Sequence, residues 1–178
     1  MAEQNNKVKI FVNEEIFGQR NLLTVTGKIE ISLSKKENYF ATELIYLSFT
    51  DTYNTNSTIT MQLKGIDVYN LIGGLEDVLL NNKSDFKKFT DSNKSKNSDA
   101  AQRKFLVLKV DGTKVFINLN ISDNTTSNNF KPISNVSFEY FEIKGVIKTL
   151  EAFMIEYKSV FYKTQRAYEK LNKKKIED

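Results

Sequence analysis

Twice along this chain an alternating run of apolar residues turns abruptly into helical spacing, and the two changes fall at matching positions. In ITMQLKGIDV the alternation Ile59, Met61, Leu63 passes into a stripe of Val68, Leu71/Ile72, Leu75 and Val78/Leu79. In VSFEYFEIKGV the alternation Val136, Phe138, Tyr140 passes into Ile143, Ile147, Leu150, Met154, Tyr157 and Phe161, with Ile66 and Ile143 in register. A period of two buries one face of a strand and a period near 3.6 buries one side of a helix, so each half ends as sheet followed by helix. Upstream of the first junction, Val8/Ile10/Val12, Ile29/Ile31/Leu33 and Ile45/Leu47/Phe49 predict three further strands, and FLVLKV and KVFINLNI do the same before the second. The fold class expected is therefore α+β: two tandem antiparallel-sheet-plus-helix units, ββββα and then βββ(β)α. The plain alternative, one α+β domain whose halves are alike by chance, keeps the same elements.

Between the units, NNKSDFKKFTDSNKSKNSDAAQ (81–102) holds only Phe86 and Phe89 as large apolar side chains. It reads as a polar tether, which divides the chain into a first unit at 1–82, a flexible connector at 83–102 and a second unit at 103–178. A length of 178 residues suits one compact body built from both. The last helix is expected to pack and to join subunits. Phe153 and Val160 widen its apolar stripe beyond what one sheet needs, and it has room to run on to Leu171.

Composition removes much of enzymology. Cysteine, histidine and tryptophan are absent, so thiol nucleophiles, disulfides, Cys/His zinc sites, Ser-His-Asp triads and histidine bases are excluded. VDGTK resembles the end of an aspartyl-phosphate phosphatase motif, but Lys109 stands where the nucleophile belongs. Gly73-Gly74 lies within a helical pattern without phosphate-loop spacing, and Glu14-Glu15 belongs to no recognisable metal array. No enzyme and no cofactor is expected. Lys+Arg 26 against Asp+Glu 22 leaves a net charge of +4, which permits an anionic partner. No apolar run reaches signal-peptide or membrane-span length, so a cytoplasmic protein without a membrane partner is the expectation.

The segment RKFLVLKVDGTKVFINLN specifies a hairpin, because Asp-Gly between alternating runs favours a two-residue type I′ turn. With Asp111-Gly112 as the loop, Leu108/Val115, Leu106/Ile117 and Lys104/Leu119 share the core side. The other side carries Lys109/Lys114, Val107/Phe116, Phe105/Asn118 and Arg103/Asn120. That face is basic, aromatic and amide-bearing, and two lysines placed opposite each other would favour an anion between them. Cations follow phosphates and rings stack on bases, so the face suits a single strand of nucleic acid. The ordinary alternative has Phe105, Val107 and Phe116 packing beneath another layer, with the lysines at its rim.

The first half repeats the picture more weakly. Phe40, Thr42, Leu44, Tyr46 and Ser48 face away from the core beside Lys28, Glu30 and Ser32, while Lys35, Lys36, Tyr39 and Phe40 cluster at the turn SKKENYF. Taken alone, that turn is a solvated hairpin loop. The loops DTYNTNS and SDNTTSNNFKPISN add Tyr53 and Phe130 in amide-rich sequence that suits closure over a bound strand. The candidate nucleic-acid-binding residues are thus Lys28, Lys35, Lys36, Tyr39, Phe40, Tyr46, Arg103, Phe105, Lys109, Lys114, Phe116 and Asn118.

On this element order, the duplicated strand-to-helix junction and the basic-aromatic sheet face, the chain over about residues 7 to 165 resembles the PC4/Whirly-like superfamily of single-stranded nucleic-acid-binding proteins. No family sequence motif is matched, and the lysine-glycine-lysine motif of plant Whirly proteins is absent. The resemblance implies sheet faces or edges as the binding surface, helices as packing and oligomerisation elements, and single-stranded DNA or RNA as partner. The expected function is sequence-tolerant binding of single strands, DNA before RNA, by a homo-oligomer. The competing expectation is a structural or interaction protein, such as a phage or plasmid assembly component, with the same aromatics as subunit anchors. The Asn/Lys/Ile-rich composition suits an AT-rich phage, plasmid or low-GC bacterial genome.

Overall fold

The computed structural model describes residues 8–33, 39–53, 58–92, 102–122 and 129–177. Four strands, β1 (Val8–Phe17), β2 (Asn21–Leu33), β3 (Tyr39–Asp51) and β4 (Thr58–Leu63), precede helix α1 (Gly65–Asn81). Four more, β5 (Lys87–Ser92), β6 (Gln102–Asp111), β7 (Lys114–Ser122) and β8 (Lys131–Glu139), precede a 3-10 turn and the long helix α2 (Ile143–Glu177). Each group forms an antiparallel sheet in sequence order, sheet A being β1-β2-β3-β4 and sheet B β5-β6-β7-β8. This is the duplicated sheet-plus-helix architecture that the two changes of period predict.

Alternation sorts each sheet into an inner and an outer face. Leu23, Val25, Ile29, Ile45, Leu47 and Phe49 turn inward from sheet A, and Leu106, Leu108, Val115, Ile117, Leu119, Val136 and Phe138 from sheet B. Both sets join one core with the helices. The helices cross over to reach it: α2 lies against β1, β2 and β3, whereas α1 lies against β6. Two glycines permit these approaches. A Cβ on Gly27 of β2 would stand 2.2 Å from Tyr157 Cδ2, and one on Gly74 of α1 would stand 3.1 Å from Leu108 Cδ1 and 2.6 Å from Phe86 Cβ. Gly74 is therefore a packing glycine, which answers the Gly73-Gly74 pair.

The start of α1 is tied to sheet B. Buried Asp67 accepts the Lys64 N–H at 2.8 Å, which caps the helix, and its other oxygen meets Lys88 Nζ of β5 at 2.8 Å. At the other end Asn82 takes a left-handed φ of 54° and donates its N–H to the Val78 carbonyl, while the Tyr140 hydroxyl, 2.7 Å from the Leu79 carbonyl, donates there.

Two expectations are corrected. Part of the expected connector is strand: Lys87–Ser92 pairs with Gln102–Val107 as the edge of sheet B, and residues 93–101 lie outside the described residues. Lys, Thr and Asp on a two-sided edge look like linker in sequence, because only Phe89 and the pairing partner identify the strand. The hairpin also turns one step later. Gly112-Thr113 form the loop, Asp111 pairs with Lys114 and Leu108 with Ile117. Gly112 alone has a positive φ, of 59°, the arrangement of a turn with glycine in its first central position rather than a type I′ Asp-Gly turn. Each partner shifts by two residues, and a shift of two preserves faces, so the inward and outward sets are unchanged.

Candidate nucleic-acid interface

With both inner faces filled, the outer faces and edges are the surfaces left for a ligand. The outer face of sheet B is read directly from the pairing. Lys87 stands opposite Val107, Phe89 opposite Phe105, and Asp91 opposite Arg103. Across β6 and β7, Phe105 meets Asn120, Val107 meets Asn118, and Lys109 meets Phe116. Beyond them β8 contributes Asn135 opposite Asn118 and Glu139 opposite Lys114.

The aromatic centre of this face is a cluster from three segments. Phe89 and Phe105 stack with ring centroids 4.4 Å apart, and Phe130 tilts over them at 5.7 and 5.2 Å. Arg103 holds its guanidinium 5.5 Å from the Phe89 centroid while its Nε meets Asp91 Oδ1 at 2.8 Å. That pair fixes the planar cation over the ring rather than leaving it to solvent. Asn120 Nδ2 donates to the Phe105 carbonyl at 3.3 Å, so this amide is committed to its own strand pair.

Cations flank the cluster. Lys87 and Lys109 are exposed, and Lys114 Nζ lies 4.0 Å from Glu139 Oε1. The corrected register changes the local electrostatics: Lys109 faces Phe116 and Lys114 faces Asp111, so the expected lysine pair across the hairpin does not form. Lys104 shares the core side of β6, as expected, but reaches the rim, where its Nζ donates to the Thr60 carbonyl of β4. Burial there lowers its pKa.

Sheet A presents a different outer face. Lys28 is bound to Glu30 in an ion pair whose hydrogen bond raises the lysine pKa, so its charge is largely committed. Tyr46 lies between Thr26 and Gln62, Phe40 lies opposite Ser32, and Phe11 of β1 lies opposite Lys28. Ser48/Thr60 and Thr50/Thr58 form cross-strand hydroxyl pairs at 2.9 and 3.0 Å. Tyr39 turns to the far end of α2, its ring 5.2 Å from that of Tyr168 and its backbone bonded both ways to Asn172 at 2.9 Å. Lys35 and Lys36 lie outside the described residues.

The structure thus gathers Arg103, Phe105, Lys109, Lys114, Phe116 and Asn118 on one face and leaves Lys28, Tyr39, Phe40 and Tyr46 on another sheet. The sequence-based site set omitted Phe89 and Lys87, which sit in the stretch read as connector, and Phe130, which that reading kept apart as a loop aromatic. The signal for Phe89 was an aromatic in DFKKFTDS with lysines on either side of the strand, visible only once that stretch is paired with β6.

The comparisons with solved structures bear on this arrangement. The plant transcriptional regulator PBF-2 superposes with a TM-score of 0.54 at 19% identity, covering 82% of this chain and 81% of that one. The chain has the Whirly-like fold. WHY3 from Arabidopsis thaliana aligns with a TM-score of 0.55 at 16% identity over 89% of this chain and 96% of its own. WHY1 from the same plant aligns at 0.52 and 16% identity, covering 82% of this chain and 89% of its own. No protein-family model and no curated protein matches by sequence. The Whirly-like likeness therefore lies in the path of the backbone, and the surface chemistry is this chain's own. Among the described residues no helix is long and apolar enough to cross a membrane.

Proposed function

We propose that this protein binds single-stranded nucleic acid, DNA before RNA and without strong sequence preference, on the outer face of sheet B. The observation that carries the reading is the coincidence there of the Phe89/Phe105/Phe130 cluster with Arg103, Lys87, Lys109 and Lys114. Rings offer bases a sequence-tolerant stacking surface and the surrounding cations follow the phosphates, while Phe116, Asn118 and Asn135 extend the platform across β7 and β8. The Whirly-like fold supports the reading at the level of architecture. Sheet A, with Lys28 neutralised by Glu30 and its face rich in hydroxyls, is a secondary surface in this account, and Lys28, Phe40 and Tyr46 contribute less than the sheet B residues. The same reading has a non-enzymatic cytoplasmic protein whose helices join subunits, Ile155 and Tyr162 being exposed one heptad apart on α2.

Fluorescence anisotropy with labelled poly-dT and poly-U at low salt tests it. Binding should weaken with salt, with log K falling by about 0.7 per phosphate neutralised, hence about 1.4 if only Lys87 and Lys109 engage and about 2.8 if Arg103 and Lys114 join them. Absence of binding to both polymers at low salt would overturn the proposal.

A further inference from the structure

Four sheet edges exist in this fold, and three are occupied. The β8 edge accepts hydrogen bonds from the β1–β2 turn, the Gln19 N–H to the Ser137 carbonyl at 3.0 Å and Asn21 Nδ2 to the Asn135 carbonyl. It also carries a bulge beside Pro132. The β4 edge receives Lys104 Nζ on the Thr60 carbonyl and the Thr90 hydroxyl on the Gln62 carbonyl at 3.4 Å, with β5 lying against it. That leaves β1. It pairs with β2 on one side through ten consecutive residues without a bulge, and among the described residues no other element donates to or accepts from its second side. It contains neither proline nor glycine, and its outer face exposes Phe11 (54%) and Phe17 (69%). Folded proteins seldom leave a long straight edge unprotected, because it offers a row of unpaired N–H and C=O groups.

We propose that β1 is an interface between two copies of this chain, the two β1 strands pairing antiparallel about Val12 to join two sheets A into one eight-stranded sheet. The charges on the strand argue for this occupant, and for this register over the shifts toward the strand's C-terminal end. A two-fold axis perpendicular to the sheet pairs residues of the same face, so the sum of paired residue numbers must be even. With Val12 opposite its own copy, Lys9 stands opposite the partner subunit's Glu15 and Glu15 opposite the partner subunit's Lys9, so opposite charges meet twice. On the inner face Val8 meets the partner's Ile16. Shifting so that Asn13 faces its own copy puts Lys9 against an aromatic and Glu15 against Phe11. Shifting once more sets Glu14 against itself, a like-charge contact. Lys9 and Glu15 are both exposed and form no ion pair within the described chain, so both are available. In the favoured register Phe11 lies diagonal to the partner's Phe11, within reach of an aromatic ring.

The inference is independent of nucleic-acid binding, and its test is the mass of the purified chain without ligand. Analytical ultracentrifugation should find a species of at least twice the 20.5 kDa of one chain. Lys9→Glu places four carboxylates at the seam and should raise the dissociation constant at least tenfold. The double variant Lys9→Glu/Glu15→Lys restores opposite charges and should recover the wild-type value. Circular dichroism and urea midpoints keep a failure to fold distinct from a failure to pair. Ile155→Glu on α2 serves as the control for association through helices. A wild-type chain that stays monomeric at 100-fold dilution from any working concentration and above it, a mass unchanged by Lys9→Glu, or a double variant no better than the single one would each overturn the β1 interface.

Discussion

Replacing Gly27 by alanine tests the contact on which the seating of α2 depends. The new Cβ would fall 2.2 Å from Tyr157 Cδ2, 2.5 Å from Cε2 and 2.9 Å from Cγ, all inside van der Waals contact. The tyrosine cannot simply step back. It is fully buried, lies parallel to Phe153 with centroids 5.7 Å apart, and its hydroxyl is anchored in the β2–β3 ladder. That oxygen accepts the Leu44 N–H at 3.1 Å and lies 3.2 Å from both the Lys28 and Leu44 carbonyls, to one of which it donates. Overpacking a core position costs ~1–3 kcal/mol, and displacing the phenol would add ~1–3 kcal/mol for buried groups left without partners. Alanine's better fit in a strand returns ~0.5–1 kcal/mol. Gly27→Ala should therefore destabilise by about 2–4 kcal/mol, read as a lower urea midpoint at unchanged slope. In a Tyr157→Leu background the ring is gone, and the same substitution should cost less than about 0.5 kcal/mol, so the cycle returns a coupling of at least ~1.5 kcal/mol. A neutral Gly27→Ala, or strictly additive costs, would show that α2 does not rest on Gly27 through this ring.

The remaining predictions concern pH, the helix start and the sheet face. Burial holds the Tyr157 hydroxyl above its ordinary value of 10.0, so its share of stability is complete below pH 10 and lost as pH rises from there toward the folded value. Tyr157→Phe should make the fall in urea midpoint above pH 10 shallower than in wild type. Lys104 has the opposite sign: its pKa is lowered, the unfolded chain binds more protons, and stability rises with pH up to its ordinary 10.5, a rise Lys104→Met should abolish. Asp67→Ala removes the cap of α1 and strands the Lys88 ammonium, and should cost about 1–3 kcal/mol in urea unfolding, whereas equal loss on Lys88→Met would mean that the cap contributes nothing. In anisotropy titrations Phe105→Ala should weaken single-strand binding by ~1–3 kcal/mol while Lys109→Ala mainly lowers the salt slope by about 0.7; unchanged binding in both would move the ligand to sheet A or to an edge.

Much of the architecture is legible in the order of residues because burial acts locally through period. The switch from alternate to every-third-or-fourth apolar residues at Leu63 and again after Tyr140 marks both sheet-to-helix junctions, and the inward sets of β2, β3, β6 and β7 follow from the same arithmetic. Even where the hairpin register was two residues off, the faces survived, since a shift of two keeps every side chain on its side. Arg103, Phe105, Lys109, Lys114, Phe116 and Asn118 are on one face for that reason alone.

What alternation cannot encode is which segment lies next to which. The strand β5 is polar apart from Phe89, being held by backbone pairing with β6 and by Lys88 on Asp67, and its own sequence carries too little burial to announce it. Phe89 and Phe130 reach Phe105 only through that pairing and through chain return, at separations no local pattern records. The exchange of helices, α1 onto sheet B and α2 onto sheet A, is likewise a tertiary outcome, because an apolar stripe specifies that a helix must be covered but not by which sheet. Side-chain period is a property of neighbours along the chain and was fully present in the sequence. The choice of neighbours across it was decided by close packing, where a glycine such as Gly27 or Gly74 has meaning only once the ring or strand that fills its space is in place.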